Sequence, residues 1–153
     1  MNGSKVIEIA RKEIGVSESP INSNSTKYGK WFGFDGVAWC GIFVSWCYAS
    51  AGLSLGNIGY LRGFAGCQTA VIHFTKSGQI TKTPEGGDIV FFDWNGDKRY
   101  DHTGIFVKWI DENTFECIEG NTAVGNDSNG GIVMIRNRNK KFAIFAHPKV
   151  LGV

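Results

Sequence analysis

The sequence predicts an α+β fold in which helices from the first half pack on an antiparallel sheet built from the second half. Three observations predict it. Apolar residues recur at helical spacing as far as Gly78, and after Pro84 the pattern changes to short β-branched and aromatic runs. Two of those runs flank Asp111-Glu112-Asn113, the mark of a hairpin with a three-residue loop. Helices followed by strands, with no βαβ alternation, mean α+β rather than α/β.

The first element is a helix from Ser4 to Ile14, where Val6, Ile7, Ala10 and Ile14 fall on one face and Gly15 supplies the stop. Asn22-Ser23-Asn24-Ser25 is a turn-rich loop. Thr26 to Phe34 is aromatic and broken by glycine, a short helix or an irregular turn. Trp39 to Ala51 (WCGIFVSWCYASA) is apolar on every side, as a buried helix is, and ends at Gly52. Leu53 to Gly66 is irregular, and Thr69 to Ser77 is a further short helix stopped by Gly78. The strands follow: Asp88 to Trp94, His102 to Ile110, Thr114 to Glu119, Gly131 to Arg136 and Phe142 to Ala146.

Composition bounds the function. The 153 residues suit one domain spanning 1–153, long enough to bury a core without staples. The net charge of +2 is small, and the basic residues Arg136, Arg138, Lys140 and Lys141 form only a weak cluster, expected to be a solvated strand edge. No nucleic-acid motif is present. No segment has the architecture of a signal peptide, and none has the ~20 apolar residues of a membrane span. Synthesis in a cytoplasm is therefore expected, with no membrane partner. Cys40, Cys47, Cys67 and Cys117 form no CxxC pair, and a reduced origin argues against disulfides among them.

One constellation carries chemistry. Cys40 opens the buried helix, where free N–H groups and the positive dipole end favour a thiolate. A cationic partner can then bring a thiol from a pKa of ~8.5 to between ~3.5 and ~7.5. Packing as a small hydrophobe is the competing role. Cys47, two turns along the same helix, and Cys117, inside a strand, read as core; Cys67 reads as a loop residue without a base. Of the three histidines, His73 is mid-helix and His147 precedes Pro148 near the end of the chain. His102 instead opens a strand after a polar loop. The hairpin at 111–113 brings the start of its first strand toward the end of its second. A bulge or bent end there would set Glu119 and Asn121 close to His102, as acceptors that hold an imidazole tautomer. A thiol, a histidine and an acceptor, in that chain order, are the nucleophile, base and orienter of a cysteine hydrolase.

These residues resemble a known family. KYGKWFGFDGVAWCGIFVSWC (Lys27 to Cys47) resembles the nucleophile segment of the CHAP domain, the cysteine- and histidine-dependent amidohydrolases/peptidases. PEGGDIVFFD (Pro84 to Asp93) resembles its first core strand, DHTGIFV (Asp101 to Val107) its histidine strand, and CIEGNT (Cys117 to Thr122) its acidic segment. The resemblance implies a papain-like, NlpC-type fold and a catalytic set of Cys40, His102, Glu119 and Asn121. It also implies hydrolysis of an amide bond in bacterial peptidoglycan, at the N-acetylmuramoyl-L-alanine linkage or within the stem or cross-bridge peptide. The chain looks most like a lysin of phages of Gram-positive bacteria, which would reach the wall through a holin or lysis. Tyr28 is the candidate second oxyanion donor, with a core role as the alternative, and Trp39 beside the nucleophile is a further substrate or oxyanion candidate. Trp31 and Trp94 are candidates for holding glycan or peptide by position alone.

Two departures from the family stand out. Ala38 replaces a common proline, with little effect expected. The stretch corresponding to the calcium loop of some members, Glu18 to Asp35, has only those two carboxylates, so no metal and no cofactor is expected. The expected partner is peptidoglycan, bound by a monomer. A binding module that holds wall peptide without cutting it, and a cysteine amidohydrolase toxin with another amide substrate, are the rival readings.

Overall fold

The computed structural model describes residues 2–127 and 129–152. Met1, Ser128 and Val153 lie outside them. Four helices precede most of the strands: α1 (Gly3–Lys12), α2 (Lys27–Phe32), α3 (Cys40–Ser50) and α4 (Cys67–Lys76). The strands are β1 (Leu53–Ser54), β2 (Ile80–Thr81), β3 (Ile89–Phe92), β4 (His102–Trp109), β5 (Thr114–Thr122), β6 (Ile132–Asn139), β7 (Ala143–Ala146) and β8 (Leu151–Gly152). A six-stranded antiparallel sheet runs in the order β2-β7-β3-β4-β5-β6, and β1 pairs with β8 outside it. The architecture is α+β and fits a papain-like fold.

Local chemistry explains the helix ends. Asn2 caps α1, accepting from the Lys5 N–H at 3.3 Å, so α1 begins one residue before the expected start. Thr26 caps α2, accepting from the Gly29 N–H at 3.0 Å, and Gly33 ends it with a left-handed φ of 89°. This settles the Thr26–Phe34 stretch as helix. α3 is buried along nearly its whole length, as its all-apolar sequence requires. It packs against Ile89, Phe91, Ile105 and Ile118 on one face of the sheet.

The opposite face of the sheet carries a second core of Val90, Phe92, Phe106, Phe115, Cys117 and Phe145. Successive residues of β3 therefore serve different cores, and all four are buried. Several boundaries differ from the sequence expectation. α4 begins at Cys67 rather than Thr69, because the extended Gly66 already serves as its N-cap. β5 runs past Glu119 to Thr122 through a bulge, with Asn121 in the left-handed region at φ 57°. β6 continues to Asn139, since Arg136 and Arg138 pair with Cys117 and Phe115. β1, β2 and β8 are two residues each, too short to show a period.

Candidate active site

Cys40 is the first residue of α3, and its N-cap, Trp39, makes no side-chain capping bond. The thiol thus meets the open N–H groups of the first helical turn. It is nearly buried, at 3% exposure. Its pKa lies well below the ordinary thiol value. The Cys67 sulfur, 3.8 Å away, contributes most as a hydrogen-bond donor; burial opposes the shift, and His102 and the Gly41 N–H reinforce it.

His102 opens β4 opposite Phe92 of β3, and its ring stacks on Phe92 with centroids 5.7 Å apart. Nε2 lies 2.8 Å from Glu119 Oε1. An ionised carboxylate only accepts, so Nε2 carries the proton there. The other nitrogen, Nδ1, is buried and makes no hydrogen bond of ordinary geometry among the described residues. Cys40 is nevertheless near enough that each group shifts the proton affinity of the other. Burial would lower the imidazole pKa; hydrogen bonding to Cys40 and Glu119 outweighs it and raises the pKa to about 9. A lowered thiol beside a raised imidazole favours a thiolate–imidazolium pair.

Glu119 is the most heavily bonded group of the site. Besides His102, it accepts two bonds from Arg138, Nε at 2.8 Å and Nη2 at 2.7 Å, and one from the Cys117 thiol at 3.0 Å. Burial would raise its pKa, but Arg138 and His102 overcome that and hold it at about 2. The side chain has room because residue 104 is glycine. A Cβ there would stand 2.8 Å from Glu119 Cγ and 3.0 Å from the Ile118 carbonyl oxygen. Arg138 is itself 9% exposed, lies 4.8 Å over the Trp94 ring, and gives a further bond to Asp127 at 3.0 Å.

The structure brings Cys40, His102 and Glu119 together and places the other expected residues elsewhere. Asn121 does not reach His102. Its carboxamide accepts from the Gly131 N–H at 3.0 Å and donates to Asn129 at 3.0 Å, so it shapes the bulge beyond Glu119. Tyr28 is fully buried and gives its hydroxyl proton to Glu13 at 2.9 Å, which leaves none for an oxyanion. Trp39 is fully buried as well, its indole N–H directed to Glu18 at 3.3 Å. Both belong to the core because their polar tips find carboxylates there. Glu18 and Asp35 serve the loop between them, accepting from the Asn24 and Thr26 N–H groups. His147 binds Asp88 at 2.7 Å and His73 packs on Phe74. Trp94 stands beside the His102 ring at 6.2 Å, whereas Trp31 lies under Arg62.

Two residues of the site escaped sequence reasoning. Arg138 was expected in a solvated edge, but alternation along β6 turns it, with Arg136, onto the face that carries Cys117 and Glu119. Extending the strand two residues and applying the period-2 rule would have found it. Cys67 was expected in a loop without a role; it is buried at the first turn of α4, against Cys40. No sequence signal predicts that contact, which depends on how α4 docks on α3.

A family model described as the CHAP domain matches residues 32–121, more than half of the chain and the stretch that holds Cys40, His102 and Glu119. No curated protein matches the chain. The chain belongs to the CHAP domain family of cysteine- and histidine-dependent amidohydrolases and peptidases.

Proposed function

We propose that this chain is a peptidoglycan hydrolase that cuts a wall amide bond through a Cys40 thioester, acting as the catalytic part of a phage lysin. The observation that carries the reading is the buried alignment of Cys40 at a helix start, His102 beside it, and Glu119 at 2.8 Å from the far nitrogen of that histidine.

The thiolate of Cys40 attacks the amide carbonyl carbon. N–H groups of the first turn of α3 receive the negative oxygen. His102, held protonated, gives its Nδ1 proton to the leaving amine, which departs as the thioester forms. Water then attacks the thioester, His102 takes up its proton, and Cys40 leaves as thiolate. Glu119 fixes the imidazole by its Nε2 proton and stabilises the cation. Trp94, half-buried beside His102, is the aromatic surface placed to meet a substrate at this site.

Mass spectrometry of purified peptidoglycan digested under reducing conditions tests the reading. Wild type should release products, Cys40→Ala and His102→Ala none, and Cys47→Ala should retain turnover. A new L-Ala amino terminus identifies an amidase, and a terminus inside the stem or bridge an endopeptidase. Turnover by Cys40→Ala, or no products from several wall types, would reject the proposal.

A further inference from the structure

We propose that Cys40 and Cys67 form a reversible oxidation site, at which a hydroperoxide converts the two thiols into a disulfide that blocks the nucleophile. The chemistry stands apart from the wall-hydrolase reading; only its effect on turnover rests on that reading.

The sulfurs are 3.8 Å apart, in van der Waals contact, and each belongs to the first residue of a helix. An S–S bond of ~2.05 Å needs only a small approach of the two side chains. The contact is built by the backbone around it. The segment leading into α4 lies directly on the first turn of α3: a Cβ on Gly41 would meet the Phe64 ring at 2.8 Å and the Ala65 carbonyl oxygen at 2.9 Å. Ser45 of α3 clamps that segment, accepting from the Phe64 N–H at 3.1 Å and donating to the Gly41 carbonyl at 2.9 Å. On its other side, the Gln68 carboxamide oxygen accepts from the Tyr100 N–H at 2.9 Å, tying α4 to the loop before His102. The second thiol is therefore delivered to the nucleophile by three packed elements.

No step of catalysis by Cys40, His102 and Glu119 consumes a second thiol; there Cys67 serves only as the hydrogen-bond donor that helps to ionise Cys40. Neither Cys47 nor Cys117 has a thiol within hydrogen-bonding distance among the described residues, and the Cys117 S–H is committed to Glu119. The two members of the pair differ in the way a nucleophilic and a resolving thiol must. Cys40 is the readily ionised member, whereas its own bond to Cys40 and burial hold Cys67 protonated. Both are nearly closed to solvent, at 3% and 6% exposure.

The steps balance. The Cys40 thiolate attacks the terminal oxygen of the peroxide, the O–O bond breaks, and the leaving alkoxide takes the proton of His102, giving a sulfenic acid. Cys67 then loses its proton to the neutral His102, and its sulfur attacks the Cys40 sulfur. The S–O bond breaks and water leaves. Two thiols and one hydroperoxide become one disulfide, one alcohol and one water; the peroxide gains the two electrons that the sulfurs lose. A dithiol reverses the reaction, whereas without Cys67 the sulfenic acid is free to proceed to sulfinic acid, which a dithiol does not reduce.

The test uses the full chain, reduced, freed of reductant and treated with a small excess of hydrogen peroxide before alkylation and peptide mapping. The expected result is an intact mass lower by two hydrogens, a peptide pair linking Cys40 to Cys67, and recovery of the original mass with dithiothreitol. In Cys67→Ser, which keeps a hydrogen-bond donor, Cys40 should instead gain oxygen atoms that dithiothreitol does not fully remove. Oxygen added to Cys40 of the wild type without a link to Cys67, or a link to another cysteine, would overturn the proposal. The map is read without substrate. A linked pair in a protein inert toward every wall would leave this inference standing and reject the wall reading, and an unlinked pair in a wall-active protein would do the reverse.

Discussion

Nε2 of His102 lies 2.8 Å from Oε1 of Glu119, with both side chains at 0% exposure. This pair is the middle of a longer chain, because Arg138 grips both oxygens of the same carboxylate. The three residues come from the adjacent strands β4, β5 and β6. The imidazole is thus oriented by a carboxylate that is itself oriented, and the carboxylate's charge is balanced in part by a guanidinium that lies 4.8 Å over the Trp94 ring.

Arg138→Met should therefore be among the most damaging changes outside the Cys–His pair. It leaves the buried Glu119 with His102 as its remaining charged partner and two hydrogen bonds short, and losing one partner of a buried pair typically costs ~3–5 kcal/mol. Arg138→Lys keeps the charge but not the two-point grip, so it should recover much of the stability and less of the rate. Urea denaturation and steady-state kinetics on the three proteins separate the effects. Equal stability of wild type and Arg138→Met would show that the guanidinium is not the counter-charge.

Acid stability follows from the same carboxylate. The folded pKa of Glu119 is about 2 against an ordinary 4.5. Because the folded value is depressed, the stabilisation is fully present above 4.5 and fades as pH falls through the folded value. Its size is about 3 kcal/mol at neutral pH by linkage. Unfolding free energies followed from about pH 6 down to about pH 3 should drop more steeply for wild type than for Glu119→Gln. Parallel slopes would mean that Glu119 is not held ionised by the fold.

The dependence of kcat/KM on pH should have an alkaline limb set by His102. Its pKa is raised to about 9, so the protonated imidazole needed by the leaving amine persists through neutral pH and is lost above about 9. The corresponding stability term has the opposite sense to that of Glu119: present below the ordinary 6.5, and lost as pH rises through the folded value. In Cys40→Ala, the His102 pKa should fall, since hydrogen bonding to Cys40 leads the influences that raise it. Ring chemical shifts measured by NMR through the titration check this directly; an unchanged value would remove Cys40 as the partner of Nδ1.

Much of this site was legible in the sequence because its parts are local. Cys40 is marked by the start of an apolar helix, and His102 by the start of a strand. Glu119 follows from the hairpin, once a bulge is allowed within its first strand, where the register shifts between Phe106 and Lys108. Asn121 shows the limit of that reasoning: the shift in β4 between Phe106 and Lys108 sets Glu119 on the face of His102, whereas a second irregularity, against β6 between Glu119 and Thr122, holds Asn121 in the left-handed region. Register arithmetic does not distinguish two acceptors two residues apart when the strand is irregular. Tyr28 and Cys67 fail for another reason. Whether the first meets Glu13 and the second meets Cys40 is decided by contacts between elements distant in the chain, which no local pattern encodes.

Gly104 offers the sharpest test of how the backbone builds the site. It faces Glu119 from the neighbouring strand, and its backbone is not in the left-handed region, so conformational strain is not the reason for glycine here. The reason is space. A methyl group would stand 2.8 Å from Glu119 Cγ, and either that side chain leaves His102 or the two strands part. Overpacking of this kind costs ~1–3 kcal/mol. Gly104→Ala should thus lower the His102 pKa and slow turnover to the level of Glu119→Gln, and combining the two changes should add little further loss. Gly120→Ala is the control. Its methyl group would strike Phe43 of α3 at 2.7 Å, so it should destabilise the protein while the His102 titration stays in place. If the two alanine variants move the His102 titration equally, the shift reflects general loosening of the sheet, and the carboxylate's position does not depend on the missing side chain at residue 104.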